Sequence, residues 1–267
     1  MARVLLKDTF FEELAPGSML ETDFESVVIN RGNLIFPDFF VVPFKSTVSS
    51  DDDSAKADLA LVERSYREWW VVEVELGKHS FKGHVLPQVR TLATATYGED
   101  EAKALCTACR ELELRHVLDM VKGRQPRVLV VVDAERSEWI QPLKSFDAEL
   151  LVLQMFRSDR NEHAFRIDGY LPVPPGSMVS ECSFDKLLPR FLVVHSPALL
   201  DVAVGKILCI RYGKYVTEWQ RIDSQDKVWL SPARQNPLLR SESYQIVRSE
   251  DGLLEFREIS RQSPRRQ

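Results

Sequence analysis

Residues 57–76 read ADLALVERSYREWWVVEVEL, and this stretch decides how the chain folds. Two apolar runs flank the polar segment RSYR at 64–67, which has a common length for a hairpin loop. This loop sets a register in which Asp58 lies opposite Glu73, with Cβ atoms about 5 Å apart. Period-two alternation places Glu75 on the same face, while the opposite face is apolar throughout. The sequence therefore predicts an antiparallel strand pair whose carboxylates gather at the end far from the turn.

Carboxylates at the edge of a buried surface repel one another and lose hydration, which costs free energy or raises a pKa. A bound Mg²⁺ removes this cost, because hard divalent cations take oxygen ligands and commonly one or two protein carboxylates. The alternative is that the acids point outward and pair with Lys56, Arg64 or Lys78. On the pattern alone, a metal site and a charged surface hairpin both remain open.

The rest of the first 175 residues alternates between helical and strand patterns. The clearest strand is VLVVVD at 128–133, since a short run of β-branched residues is typical of a strand buried on both faces. This alternation predicts an α/β fold in which helices flank a mixed central sheet. In chain order we expect a helix at 18–30, strands at 38–43, 57–63 and 68–76, helices at 83–97 and 99–121, a strand at 128–133, a helix at 137–146, and strands at 150–156 and 163–170.

A second domain is predicted after the segment PVPPGS at 172–177, because proline and glycine end both helices and strands. Beyond it, short β-type runs such as KILCIRYG at 206–213 alternate with turns. This pattern of short strands and turns is typical of a small β-rich, SH3-like or barrel-like fold. We therefore expect one domain at 1–175 and a smaller accessory domain, with a basic tail, at 176–267.

The helix–hairpin region resembles the PD-(D/E)XK, or restriction-endonuclease-like, nuclease superfamily. The likeness covers residues 18–170 and rests on strand context, because the motif itself is short. In that superfamily an acid on the second core strand and an acid-x-lysine on the third hold the metal. The resemblance implies that Asp58 and Glu73 bind Mg²⁺, with Mn²⁺ as a substitute, in a restriction-endonuclease-like mixed sheet.

The sequence departs from the superfamily pattern at Glu75, which stands where a lysine is usual. Lysine normally positions or polarises the attacking water, whereas a glutamate accepts its proton or holds a second metal. In the predicted register Lys56 falls opposite Glu75 and is a candidate for the missing cation, as is Lys78. The other interpretation is that Lys56 only neutralises Glu75, or that activity has been lost with the lysine.

The flanking helices supply further candidates. Glu21 and Glu25 lie on the helix before the hairpin, where the resemblance implies an additional acid. On the following helix, Gln88 matches a glutamine that members of the superfamily often project toward the metal. His84 lies one turn earlier and is a candidate phosphate contact. A satisfied surface His–Gln pair is the alternative for both.

Composition sets wider limits. The net charge is −5, yet residues 205–267 carry 12 Lys and Arg against 8 Asp and Glu. The acidic part therefore precedes a basic part that is suited to polyanion contact. No apolar run approaches the roughly 20 residues of a membrane span, and acids interrupt the N-terminal segment before a signal peptide forms. We expect a cytoplasmic protein without a membrane partner.

Three functions stay open at this point. The resemblance implies a Mg²⁺-dependent nuclease that hydrolyses phosphodiester bonds of DNA or RNA, with DNA as the foremost partner. Its role would be in restriction, antiphage defence or repair, and it could act as a homodimer or with a partner protein. Glu75 and the negative net charge favour an alternative, a catalytically inactive nuclease-fold module that binds nucleic acid or a protein. The third is acid–base hydrolysis by a carboxylate pair, as in glycoside hydrolases. Metal dependence separates the first from the third.

Overall fold

The computed structural model describes residues 2–50, 53–174, 176–195, 197, 200, 202–224, 227–234, 237–239, 242–249 and 251–259. The chain divides into two compact units, Met1–Pro172 and Val173–Gln267. The sequence predicted the division three residues later, after residue 175. Each unit has its own hydrophobic core.

The first unit is a mixed α/β fold. Among its described residues, eight strands form one sheet in the order β1-β2-β9-β8-β7-β6-β3, with β10 paired to β9, while β4 and β5 form a separate pair. A π-helical turn at Phe81–Val85 leads into the second helix. The elements are β1 (Arg3–Leu6), β2 (Thr9–Glu13), α1 (Glu21–Ile35), β3 (Phe39–Pro43), β4 (Thr47–Ser49), β5 (Ser54–Lys56), β6 (Leu59–Glu63), β7 (Trp69–Glu75), α2 (Leu86–Thr94), α3 (Glu99–Ala108), α4 (Leu114–Gly123), β8 (Arg127–Val132), α5 (Ser137–Lys144), β9 (Ala148–Ser158) and β10 (His163–Gly169).

The predicted hairpin register is confirmed. Leu59 pairs with Val72, and the antiparallel ladder continues to the turn. On its other side β6 pairs antiparallel with β3, whereas β7 pairs parallel with β8. Strands β6 and β7 are buried along their whole length, as expected from two apolar faces. The hairpin therefore lies inside the sheet, and its acidic end opens at one edge of the layer.

The expected opposition of Lys56 and Glu75 is wrong. Asp58 donates its backbone N–H to Val72 O at 3.2 Å, and its side chain then accepts the backbone N–H of Val74 at 2.9 Å. A carboxylate thus takes the place of the next backbone carbonyl, and the ladder ends there. The preceding residues turn away, so that Lys56 pairs with Thr47 in the small β4–β5 sheet.

Helices cover both faces of the large sheet. Helix α1 buries Phe24 and Val28 against one face, and it approaches closely because Gly32 has no side chain. A Cβ at Gly32 would lie 2.6 Å from a methyl carbon of Val41. The other helices pack on the opposite face around a larger core that includes Trp69 and Leu92. The described part of the chain contains no helix with the length and hydrophobicity needed to cross a bilayer.

Two further parts of the first unit differ from the sequence-based expectation. The single helix predicted at 99–121 is two helices, because Cys109 is extended, with φ −131°, at the end of α3. The backbone N–H of Leu112 donates to Cys109 O at 3.2 Å in the turn, which carries the Leu112 side chain into the core. The N-terminal hairpin β1–β2, which extends the sheet beyond β9, was not predicted.

The second unit is a closed β-barrel in the order β11-β12-β15-β14-β13-β17-β16. This confirms a β-rich, barrel-like C-terminal region, although its first strand was not predicted. Trp219, Tyr244 and Phe256 stack edge to face in its core. The strands are β11 (Met178–Phe184), β12 (Leu192–Val194), β13 (Ile207–Tyr212), β14 (Tyr215–Asp223), β15 (Val228–Pro232), β16 (Ser243–Arg248) and β17 (Leu254–Glu258).

Candidate metal centre

The acidic end of the central hairpin collects titratable side chains from several elements of the first unit. Glu73 and Glu75 extend from the same face of β7 and are 3% and 1% exposed. Asp58 directly precedes β6 and is mostly buried. Burying this many carboxylates in so small a volume is unfavourable unless cations or protons compensate them. The partners of each carboxylate therefore show which negative charges the protein itself compensates.

Asp58 is fully engaged. Its Oδ2 accepts the backbone N–H of Val74 at 2.9 Å, and its Oδ1 accepts the ammonium group of Lys45 at 2.9 Å. The same Lys45 Nζ lies 2.8 Å from Glu25 Oε1 on α1. Burial lowers the pKa of Lys45, but the hydrogen bonds and charges of Glu25 and Asp58 outweigh this effect, and the pKa is raised. Lys45 is therefore the cation that holds these two acids together.

Glu73 is not engaged in this way. Its Oε2 is buried and has no hydrogen-bond partner among the residues that the structure describes. Burial is the largest cause that raises the pKa of Glu73 well above its usual value, followed by the charges of Asp58 and Glu75. An unpartnered buried carboxylate oxygen beside other acids is a position that a hard cation would satisfy.

Glu63 shows that buried acids in this sheet do not all lack hydrogen-bond partners. It lies on β6 and is also 3% exposed. Its carboxylate accepts hydrogen bonds from the Ser65 hydroxyl at 2.6 Å and from the Arg67 backbone N–H at 3.0 Å. The Arg67 guanidinium adds an ion pair at 2.6 Å. Glu63 is thus compensated by protein groups, whereas Glu73 is not.

Glu75 contacts two histidines. Its Oε2 lies 2.6 Å from His79 Nδ1, and its Oε1 lies 3.1 Å from His84 Nε2. Burial raises the pKa of Glu75, while the hydrogen bond from His79 opposes the rise. Glu21 Oε2, from the first turn of α1, lies 3.4 Å from the same His79 nitrogen. Glu75 is therefore part of a Glu–His cluster.

The connection that carries His79 is held in place from two sides. The Asp133 carboxylate accepts the backbone N–H of Gly77 at 2.6 Å and that of Gly17 at 2.6 Å. Arg136 donates from Nε to Gly77 O at 2.8 Å. Gly77 leaves no room for a side chain, since a Cβ there would lie 2.8 Å from Ala134 Cβ. The chain leaves β7 in a fixed direction, which brings the following residues back over Glu75.

Most of the predicted site residues converge. Asp58, Glu73, Glu75, Glu25, Glu21 and His84 all belong to the contacts and charge interactions described above. Two lysines lie elsewhere: Lys56 is in the β4–β5 sheet, and Lys78 donates to Gly17 O at 3.1 Å. Gln88 lies on α2, where its Oε1 is buried without a partner in the described part of the chain.

Pro87 lies in the first turn of α2, as expected from its missing N–H. The helical pattern read from Gly83 begins instead as the π-helical turn, so His84 belongs to that turn. His84 and Gln88 therefore do not lie on one regular helical face.

Lys45 was missed by the sequence-based analysis, although the register contained a signal for it. Pro43 pairs with Leu59 at the end of the β3–β6 ladder, and Phe44 N donates to Asp58 O at 2.8 Å. A lysine immediately after that contact must lie next to Asp58. His79 was not among the predicted site residues, because its position depends on the turn at Gly77 and not on strand periodicity.

Comparison of the chain with protein-family models, with curated proteins and with solved structures finds no match. The likeness to PD-(D/E)XK nucleases therefore stays a hypothesis that rests on a short motif in its strand context. What the site can do follows from its donor atoms. Carboxylate oxygens from Asp58 and Glu73 suit a hard divalent cation, and the unpartnered Glu73 oxygen fits such an ion.

Proposed function

We propose that the first unit is a metal-dependent nuclease whose Asp58 and Glu73 hold a Mg²⁺ ion. The observation that carries this proposal is the buried Glu73 oxygen without a partner, beside the charge of Asp58. The element order supports it: helix α1, the antiparallel strands β3, β6 and β7, and then a parallel strand β8 match what the resemblance implies. The substrate class, nucleic acid and foremost DNA, comes from the resemblance.

When bound, Mg²⁺ would supply Lewis-acid polarisation of a scissile phosphodiester. The protein residues have separate tasks around it. The hydrogen bond from the Val74 N–H fixes the orientation of the Asp58 carboxylate. Little side-chain entropy would therefore be lost when Asp58 binds the ion. Glu73 is fixed by its place in a strand that is buried from end to end. Ligands held on rigid strands keep their geometry to a fraction of an ångström.

Lys45 takes the role that the missing motif lysine leaves open. Its ammonium group already lies 2.9 Å from Asp58, and it is about half exposed on a segment at the open end of the hairpin. It can therefore turn from the acids to a phosphate oxygen when a cation neutralises them. Glu75 would help to position an attacking water, and its contacts with His79 and His84 would hold its carboxylate in place for that task.

The test is cleavage of supercoiled plasmid, single-stranded DNA and RNA in Mg²⁺, Mn²⁺ or EDTA. We expect metal-dependent cleavage that Asp58→Asn and Glu73→Gln each reduce by at least about 100-fold, because losing a ligand removes several kcal/mol of transition-state stabilisation. Glu63→Gln is the matched control, since Glu63 is equally buried but lies at the turn end of the hairpin. Equal loss in all three variants, or cleavage that continues in EDTA, would contradict the proposal.

A second candidate is a nuclease-fold module that binds nucleic acid or a partner without cutting. The observation in its favour is that Lys45 already neutralises Asp58 and Glu25, while two histidines contact Glu75. Among the carboxylates of this site, Glu73 then has an oxygen without a partner in the described part of the chain. Metal binding without cleavage of any of the three substrates would favour this module.

A further inference from the structure

A second cluster of donor atoms lies beside the proposed Mg²⁺ site and has a different chemistry. Glu75 ends β7, His79 lies in the connection that follows, and His84 lies in the π-helical turn. One ligand atom from each residue lies within 4.8 Å of the others. Two imidazole nitrogens and one carboxylate oxygen thus converge on one point from three local structures.

Local backbone features bring the two histidines together. The His79 N–H donates to Leu76 O at 2.9 Å in a tight turn, so the side chain returns toward Glu75. Ser80 then begins the π-helical turn, and its hydroxyl accepts the Gly83 N–H at 3.3 Å. The wider turn carries His84 back over the same carboxylate. Single π-helical turns are rare and frequently occur at functional sites.

The geometry is close to that of three ligands around one ion. Ligand atoms at about 2.1 Å from a common ion lie about 3–4 Å apart. The cluster therefore needs only small side-chain rotations, and both histidines are partly exposed and can make them. The Glu75 carboxylate is 1% exposed and fixed by its strand. It is the anchor around which the two imidazoles can adjust.

The site also has room for more than the protein ligands. A cavity of about 370 Å³ is lined by Glu21, His79, Ser80 and His84. Water or a substrate oxygen can therefore complete the coordination of an ion there. Glu21 Oε2 lies 3.4 Å from His79 Nδ1, within reach as an outer acceptor or a further ligand. An anchored carboxylate with two histidines and open positions is the arrangement of many catalytic metal sites.

We propose that Glu75, His79 and His84 bind a divalent transition-metal ion, of the class of Zn²⁺, Mn²⁺ and Co²⁺, at a site separate from Asp58 and Glu73. Imidazole nitrogens discriminate against Mg²⁺ and Ca²⁺, which take oxygen ligands. This inference stands without the proposed nuclease function, because the ion can bind whether or not the chain cleaves nucleic acid.

The experiment is a Co²⁺ titration of the full chain after chelation, followed by the visible absorption of bound Co²⁺ and by calorimetry with Zn²⁺. We expect one equivalent to bind, and His79→Ala and His84→Ala each to weaken binding at least about 10-fold. His116→Ala is the matched control, since His116 also lies next to a glutamate, at 3.5 Å, but belongs to no cluster of three potential ligands among the described residues. Circular dichroism would verify that each variant is folded.

The two sites are separated by a further variant. Glu73→Gln should leave the Co²⁺ absorption intact while it removes Mg²⁺-dependent cleavage. The titration is repeated with Cys106→Ser and Cys109→Ser, because these free thiols are alternative soft ligands. Absence of Co²⁺ and Zn²⁺ binding would overturn the inference, and so would a visible Co²⁺ absorption that survives both histidine substitutions in the Glu73→Gln background. Loss of Co²⁺ absorption in Glu73→Gln alone would assign the ion to the carboxylate site instead.

Discussion

Replacement of Glu73 by glutamine should make the metal-free protein more stable. The side chain is 3% exposed, and its Oε2 has no partner in the described part of the chain. A buried polar group without a partner costs about 1–3 kcal/mol, and more when it is charged. Glutamine has nearly the same shape and remains polar but carries no charge, so Glu73→Gln should remove the cost of burying the charge or the proton that neutralises it, about 1–3 kcal/mol near neutral pH. For a unit of this size the gain corresponds to a melting temperature about 3–10 °C higher.

The effect should depend on pH with a definite sign. Burial raises the pKa of Glu73 in the folded protein above the ordinary value of 4.5. Between those two values the folded state holds a proton that the unfolded state has lost. The stability of the wild type therefore falls as pH rises above about 4.5 and through the folded pKa. The advantage of Glu73→Gln should accordingly be large at pH 7.5 and small at pH 5.

Scanning calorimetry in EDTA at the two pH values measures this effect. Glu63→Gln is the control of equal burial, and it should destabilise the protein by about 1–3 kcal/mol because Ser65 and Arg67 lose their acceptor. If Glu73→Gln lowers the melting temperature at both pH values, as Glu63→Gln does, Glu73 is a well-paired carboxylate and the reasoning fails.

Three other substitutions test the surroundings of the site. Lys45→Met should reduce cleavage about 100-fold. It should leave the affinity for Mn²⁺ unchanged or raise it, because the Lys45 ammonium group competes with the metal ion for Asp58. Weaker Mn²⁺ binding by calorimetry would contradict this role. Gly77→Ala should cost about 1–3 kcal/mol in chemical denaturation, since its Cβ would lie 2.8 Å from Ala134 Cβ. Gly123→Ala, whose Cβ meets no described atom within 4 Å, should be neutral or stabilising by about 0.5–1 kcal/mol. Equal destabilisation by both glycine substitutions would refute the proposed crowding at Gly77.

The central hairpin could be predicted because two independent signals agree there. The polar loop has a standard hairpin length, and both faces of each strand are apolar except at the carboxylates, which fixes the register. The same inference was wrong where it was extended past Asp58. Pairing was extended to Lys56, but a side-chain hydrogen bond from Val74 to Asp58 ends the ladder first. Strand periodicity does not indicate where a side chain replaces a backbone acceptor.

Other features left weaker signals. Strand β1 is exposed along its whole length, so it has no buried face to impose an alternating pattern. The break between α3 and α4 contains neither glycine nor proline and is set by burial of Leu112. The position of His79 depends on a connection whose course is fixed by distant contacts, those of Asp133 with Gly77 and Gly17. The strands of the site and His84 could be predicted from the sequence. His79 could not, and Lys45 required the β3–β6 register to be continued to Asp58.

Anomalous diffraction from crystals soaked in Mn²⁺ tests the proposed metal site most directly. The account predicts a Mn²⁺ peak within about 2.5 Å of carboxylate oxygens of both Asp58 and Glu73, with the Lys45 ammonium group displaced from Asp58. A peak confined to Glu75, His79 and His84 would support the second site but contradict the first. If saturating Mn²⁺ leaves Asp58 paired with Lys45 and Glu73 without a ligand, the central claim is wrong.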